Sequence, residues 1–197
     1  MKRLVQLFKR FERFWHWLQA TLVILLIVTG LELHGLYKLS GFENSVDVHN
    51  VAAFCWSILI LMIFTWIFTT GEWKQYVPST RGIDGVLKYY MHGVFAGESH
   101  PHHASPEHKF NPIQRYSYIV ILFILLPLQI ATGFIFYFFP DLRAMGIVGH
   151  IDLVAILHTF TAYSFLAFLI IHLYMITFGQ RLSTHIKAMI TGIEETT

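Results

Sequence analysis

Cys55 is the only cysteine in the chain. One thiol excludes a disulfide framework, a cysteine-ligated iron–sulfur cluster and any covalent attachment through a CxxCH motif. Charge is scarce too: Asp, Glu, Lys and Arg make up 13% of the 197 residues, against 55% apolar and 16% aromatic. That balance lies outside ordinary soluble domains and inside membrane proteins. A glycine-rich nucleotide motif and a nucleophile–base pair are both missing, so the chain has no substrate-oxidising site of its own and is expected to be one subunit of a larger complex. Nothing calls for nucleic acid. The basic start lacks a small-residue cleavage pattern after it, so the first apolar run reads as a retained helix rather than a signal peptide.

What the chain does have is four long apolar runs, at about residues 14–36, 48–71, 113–139 and 151–179. Each matches or exceeds the ~20 residues that cross a bilayer. The expected fold is all-α: a single membrane domain over residues 1–197, a four-helix bundle in the lipid bilayer. Residues 1–13 place Lys2, Arg3, Lys9, Arg10 and Arg13 around Leu4, Leu7, Phe8 and Phe11 at helical spacing, as for a segment lying on the membrane surface. Pro127 is expected to kink the third span. Residues 72–112 form the only long connection, and within it Ile83, Val86, Leu87, Tyr90, Met91, Val94 and Phe95 outline an interfacial helix. The tail from Arg181 is polar and at best partly helical.

Four spans put both ends of the chain on one side. Of the 14 Lys and Arg, all but Lys38 and Arg143 lie in the ends and the long connection. By the positive-inside rule those segments, both termini included, are cytoplasmic, and the short loops face outward.

Twelve histidines stand out against this background. His158 and His172 lie fourteen residues apart in the last run, close to four helical turns, so both project from nearly one face about 21 Å apart along the axis. A polar ring within a membrane span is a functional candidate. Matching by depth pairs His16 with His172 toward the cytoplasmic side and His49 with His158 toward the outside. Each pair offers two imidazoles from facing helices, the arrangement of a six-coordinate haem iron used for electron transfer. His34 returns to the face of His16 about 27 Å further out and competes with His49 on depth alone. His150, at the entrance of the last run, reads as solvated or as lying near the outer edge of a haem or partner. Gly30 in IVTG and Gly133 in IATG leave space where a porphyrin can approach, or serve ordinary helix packing; the repeated TG hints at two related helix hairpins.

These features, with KFNPIQR ahead of the third span, resemble the di-haem cytochrome b subunits of respiratory complexes. The nearest are the formate dehydrogenase gamma subunit, the b-type cytochrome of nickel–iron hydrogenases and the thiosulfate reductase cytochrome b. The resemblance implies two haems b, with His16, His172, His49 and His158 as axial iron ligands, and it favours His49 over His34. It implies an iron–sulfur or multihaem cytochrome c redox subunit on the outer face of a hetero-oligomeric complex in a prokaryotic inner membrane. It also implies a quinone, menaquinone or ubiquinone, near the cytoplasmic haem, beside Asn111, His172 and Gln114. Asn111 before Pro112 is equally a helix cap and first-turn pair.

The segment ESHPHHASPEHK sets this chain apart from that family. Its His100, His102, His103 and His108 suit zinc, copper or nickel. A rival expectation is therefore a transition-metal transporter or membrane metal sensor. The absence of any carboxylate in the middle of a span counts against it.

Overall fold

The computed structural model describes residues 3–98, 101–102, 104–177 and 184–196. It is mostly helical, with a single pair of short strands among the described residues. Four helical stretches are long and apolar enough to cross a membrane: α1 (Arg10–Leu33), α2 (Phe42–Thr70), the run Pro112–Tyr137, and α7 (Asp152–Met175). All four coincide with the apolar runs of the sequence, shifted by a few residues at their ends. The third is built of α4 (Pro112–Val120), a π-helical turn (Ile121–Leu125) and α5 (Leu126–Tyr137). The widened turn ends just before Pro127, whose ring and missing N–H disfavour a regular ladder there. Shorter helices are α3 (Ile83–Lys88), α6 (Phe139–Ala144) and α8 (Thr184–Thr191).

The chain divides into two compact units. The first takes in Met1–Phe14, Trp66–Leu122 and Ile170–Thr197. Its two strands, β1 (Arg3–Gln6) and β2 (Ile193–Thr196), pair antiparallel with Leu4 opposite Glu195. This corrects the surface helix expected over residues 1–13: residues 3–6 are extended because a partner strand exists at the far end of the chain. The N–H groups of Leu7 and Phe8 then both donate to the Gly192 carbonyl, and Leu7 is buried.

The same unit holds a buried ionic cluster. Lys109 Nζ reaches Glu12 Oε1 at 2.7 Å and Glu72 Oε2 at 3.0 Å, and Lys9 Nζ reaches Glu72 Oε1 at 2.6 Å. Buried Gln75 clamps the end of the long connection, donating to the Pro106 carbonyl and accepting from the Lys109 N–H. Beside it Tyr118 packs edge-on to both Tyr76 and Phe110, which are tilted against each other. Within the long connection the chain is helical over α3 and a following π turn, Tyr89–Gly93; Val86 and Tyr89 are buried while Leu87, Met91 and Phe95 are exposed.

The second unit is Trp15–Thr65 with Phe123–Leu169. The connection from α1 to α2 is organised by Glu32, which is buried. Its Oε1 accepts the N–H groups of Leu39, Ser40 and Gly41 at 2.7, 2.8 and 2.8 Å. Gly41, at φ +90°, supplies the left-handed backbone this wrap requires.

Candidate haem site

The second unit holds a half-open cavity of about 640 Å³ lined mainly by α1, α2, α5 and α7. His49 and His158 face each other in it, ring centroids 6.5 Å apart and planes at 65°. Neither ring is free to turn. Thr29 Oγ lies 2.8 Å from His49 Nδ1, and Thr132 Oγ lies 2.9 Å from His158 Nδ1. Both threonines are buried, and each donates its proton to the carbonyl one turn back, Leu25 at 2.8 Å and Leu128 at 2.7 Å. A β-carbon built on Gly30 would meet His49 Cε1 at 3.5 Å, and one on Gly133 would meet His158 Cε1 at 3.4 Å. In each pair, threonine and glycine form a cradle for one imidazole.

The two cradles are copies. LLIVTG in α1 aligns with LQIATG in α5, and Leu26, Ile27 and Gly30 line the cavity as do Gln129, Ile130 and Gly133. Every α2 residue in the lining has an α7 counterpart at the same distance from its histidine: Ala53 matches Ala162, Phe54 matches Tyr163, and Trp56 matches Phe165. Matched residues also touch one another, as His49 and His158 do and as Trp56 and Phe165 do at 5.7 Å. Helices that meet through equivalent residues at two levels are related by an approximate two-fold axis running between them. The repeated TG was the visible trace of this duplication.

The copies differ where Leu26 is replaced by Gln129. The Gln129 amide nitrogen stands 3.2 Å from His158 Nε2, and its oxygen accepts the Thr161 hydroxyl. His34 also lines the cavity, with Nε2 3.4 Å from Thr159 Oγ, in the place of Tyr137 in the other hairpin. It has no cradle of its own.

The fit to a haem b is good. Two imidazoles bound to opposite faces of one iron, with metal–nitrogen bonds of about 2 Å, have centroids roughly 6 Å apart. The walls are mostly apolar, and glycine and alanine keep them open on all four helices: Gly30, Ala53, Gly133 and Ala162. Residues 7–192 match the family of prokaryotic cytochrome b561. The chain belongs to that family. A relative, the "Putative cytochrome YdhU" of Escherichia coli (strain K12), is 29% identical over 207 residues, covering 95% of this chain and 74% of the relative. No solved structure matches. The chain is thus a multi-pass membrane protein of the cytochrome b561 type, binding b-type haem and transferring electrons.

None of the other described sequence-predicted residues is in the lining of this cavity. His16 belongs to the second unit, its ring edge-on to Trp17 at 5.3 Å; His172 belongs to the first and is half-buried. Asn111 caps α4 in a reciprocal box: its Oδ1 accepts the Gln114 N–H at 2.9 Å while Gln114 Oε1 accepts the Asn111 N–H at 2.9 Å. The Asn111 amide donates to the Tyr90 hydroxyl at 3.3 Å. Burial pushes the Tyr90 phenol above its usual range, with the Asn111 hydrogen bond opposing. His150 is exposed. His100 and His103 lie outside the described residues, and His108 Nδ1 faces Arg115 at 3.2 Å. Among the described residues no three His, Cys, Asp or Glu side chains gather as a metal site.

Sequence reasoning missed Thr29, Thr132 and Gln129. It read the glycines of IVTG and IATG as space for a porphyrin or for ordinary helix packing; the hydroxyls carried a signal only once a histidine was known to stand opposite each.

Proposed function

We propose that this cytochrome b561-type chain is the membrane-anchoring di-haem electron-transfer subunit of a respiratory oxidoreductase complex, of the kind formed by formate dehydrogenase gamma subunits, hydrogenase b-type cytochromes and thiosulfate reductase cytochrome b. His49 with His158 hold one haem toward the outer face, and His16 with His172 hold the other toward the cytoplasm. The supporting observation is the cradled His49–His158 pair across a cavity of suitable size. Bound iron supplies reversible one-electron chemistry, and the protein sets its potential through ligands, hydrogen bonding and burial.

Electrons pass from an outer-face partner, an iron–sulfur or multihaem cytochrome c subunit, through the two sites to a quinone on the cytoplasmic side. Asn111, Gln114 and His172 form the quinone end in this reading. The membrane is the prokaryotic inner membrane, with both termini cytoplasmic, as the distribution of Lys and Arg indicates.

The test is a reduced-minus-oxidised absorbance spectrum with haem and protein quantified on one sample. Two b-type haems per chain are expected, falling to one in His158→Ala and one in His172→Ala. A haem-free chain, with extraction losses controlled, or His158→Ala with both haems kept, overturns the assignment; His34 is then the next ligand to test.

A further inference from the structure

We propose that Thr29 and Thr132 are paired positioning residues that set the tautomer of the two imidazoles and, through it, the potential of the haem they hold. This rests on His49 and His158 being its ligands. A hydroxyl has one proton to give. In Thr29 it goes to the Leu25 carbonyl at 2.8 Å, with Leu26 O at 3.2 Å; in Thr132 it goes to Leu128 O at 2.7 Å, with Gln129 O at 3.1 Å. The threonine oxygens, at 2.8 and 2.9 Å from the Nδ1 atoms, are then acceptors, and each Nδ1 carries the ring proton. Nε2 is left with a lone pair, the form in which neutral imidazole binds a metal.

The Gln129 amide stands against both ring nitrogens of His158, at 3.4 Å from Nδ1 and 3.2 Å from Nε2, so the choice of tautomer rests with Thr132.

The choice of threonine has a consequence. A carboxylate partner draws the Nδ1 proton strongly and makes the imidazole a better electron donor, which favours ferric iron. A hydroxyl whose own proton is engaged elsewhere is a neutral, moderate acceptor, so both ligands keep imidazole character. Burial of the threonines at 5% and 3% exposure leaves little room for water to replace them. Removing either acceptor weakens donation to iron and favours the ferrous form.

The test uses Thr29→Val, Thr132→Val and the serine variants of both in the full chain with haem bound, read by optical redox titration. Each valine variant is expected to keep two haems while the midpoint of the His49–His158 haem moves up and that of the second haem stays put; serine returns it to the parental value. Two outcomes overturn the inference: both midpoints unmoved in valine variants that keep their haem, or the same shift in serine as in valine. If valine expels the haem, serine variants with the parental midpoint uphold it, and their loss of haem overturns it. His49→Ala and His158→Ala are run alongside. Both haems kept in those variants points to a failed ligand assignment and not to the threonines.

Discussion

Lys109 Nζ lies 2.7 Å from Glu12 Oε1, joining two segments far apart in the chain, with the lysine side chain only 3% exposed. Glu72 closes the cluster from a third segment at 3.0 Å. Removing one member of a buried ionic cluster leaves the others uncompensated, at a cost of about 3–5 kcal/mol. Lys109→Met is therefore expected to lower the unfolding midpoint in detergent, and adding Glu12→Gln and Glu72→Gln to recover much of it. A Lys109→Met chain as stable as the parent would show that the cluster does not support this unit.

Glu72 also gives the unit a pH signature. Burial pushes its carboxyl up, but hydrogen bonds from Lys9 and Lys109 more than reverse this and hold it below the usual range. A depressed carboxylate contributes stability above its unfolded pKa, about 4.3, and that stability is lost as pH falls through the lower folded value. Lys9 is raised by its Glu72 hydrogen bond, so its contribution is present below its unfolded pKa and fades as pH rises through the folded one. Thermal unfolding in detergent should thus weaken below about pH 4, with a smaller acid loss in Glu72→Gln. An identical acid limb in that variant would remove Glu72 from the account.

The Asn111 cap separates two roles that the sequence left superimposed. Serine caps a helix about as well as asparagine, whereas alanine costs about 1 kcal/mol. Asn111→Ser keeps a cap acceptor for Gln114 N–H but loses the amide that reaches Tyr90. If Asn111 touches quinone, Asn111→Ser is expected to hold parental stability and both haems while quinone reduction drops at least several-fold. Quinone reduction at the parental rate would leave the cap as its whole function.

How far these features were legible in the sequence depends on how local their causes are. The four spans were, because a run of apolar side chains long enough for a bilayer needs no partner to be recognised. Their ends were less so: α1 starts at Arg10, where Glu12 accepts the Lys9 N–H at 2.6 Å, a contact that composition does not reveal. The strand at Arg3–Gln6 was invisible, since its partner lies at Ile193–Thr196 and the spacing of Leu4 and Leu7 suits a helix equally. Depth paired His49 with His158 but left His34 in competition until the family resemblance favoured His49, and the structure brings the His49 and His158 rings together. The threonines that orient them were not legible, because a back-bonded threonine in a membrane helix looks the same whether or not an imidazole stands opposite.

The paired glycines decide how closely each cradle is shaped around its histidine. An alanine β-carbon at position 30 would sit 3.5 Å from His49 Cε1, and one at position 133 would sit 3.4 Å from His158 Cε1, ordinary contact distances. Gly30→Ala and Gly133→Ala are expected to keep both haems and, by removing a helix-interior glycine, to gain about 0.5 kcal/mol. Leucine at either place puts branched carbons where the imidazole stands, so Gly30→Leu and Gly133→Leu are each expected to lose the haem at His49 and His158 while retaining the second, seen as a halved haem-to-protein ratio. Because the cradles are related by the approximate two-fold axis, the two substitutions should act alike. Leucine variants with a full haem complement and an unchanged spectrum would break the link between glycine and ligand; alanine variants that already lose haem would mean that the cofactor, and not the imidazole, occupies the space each glycine leaves.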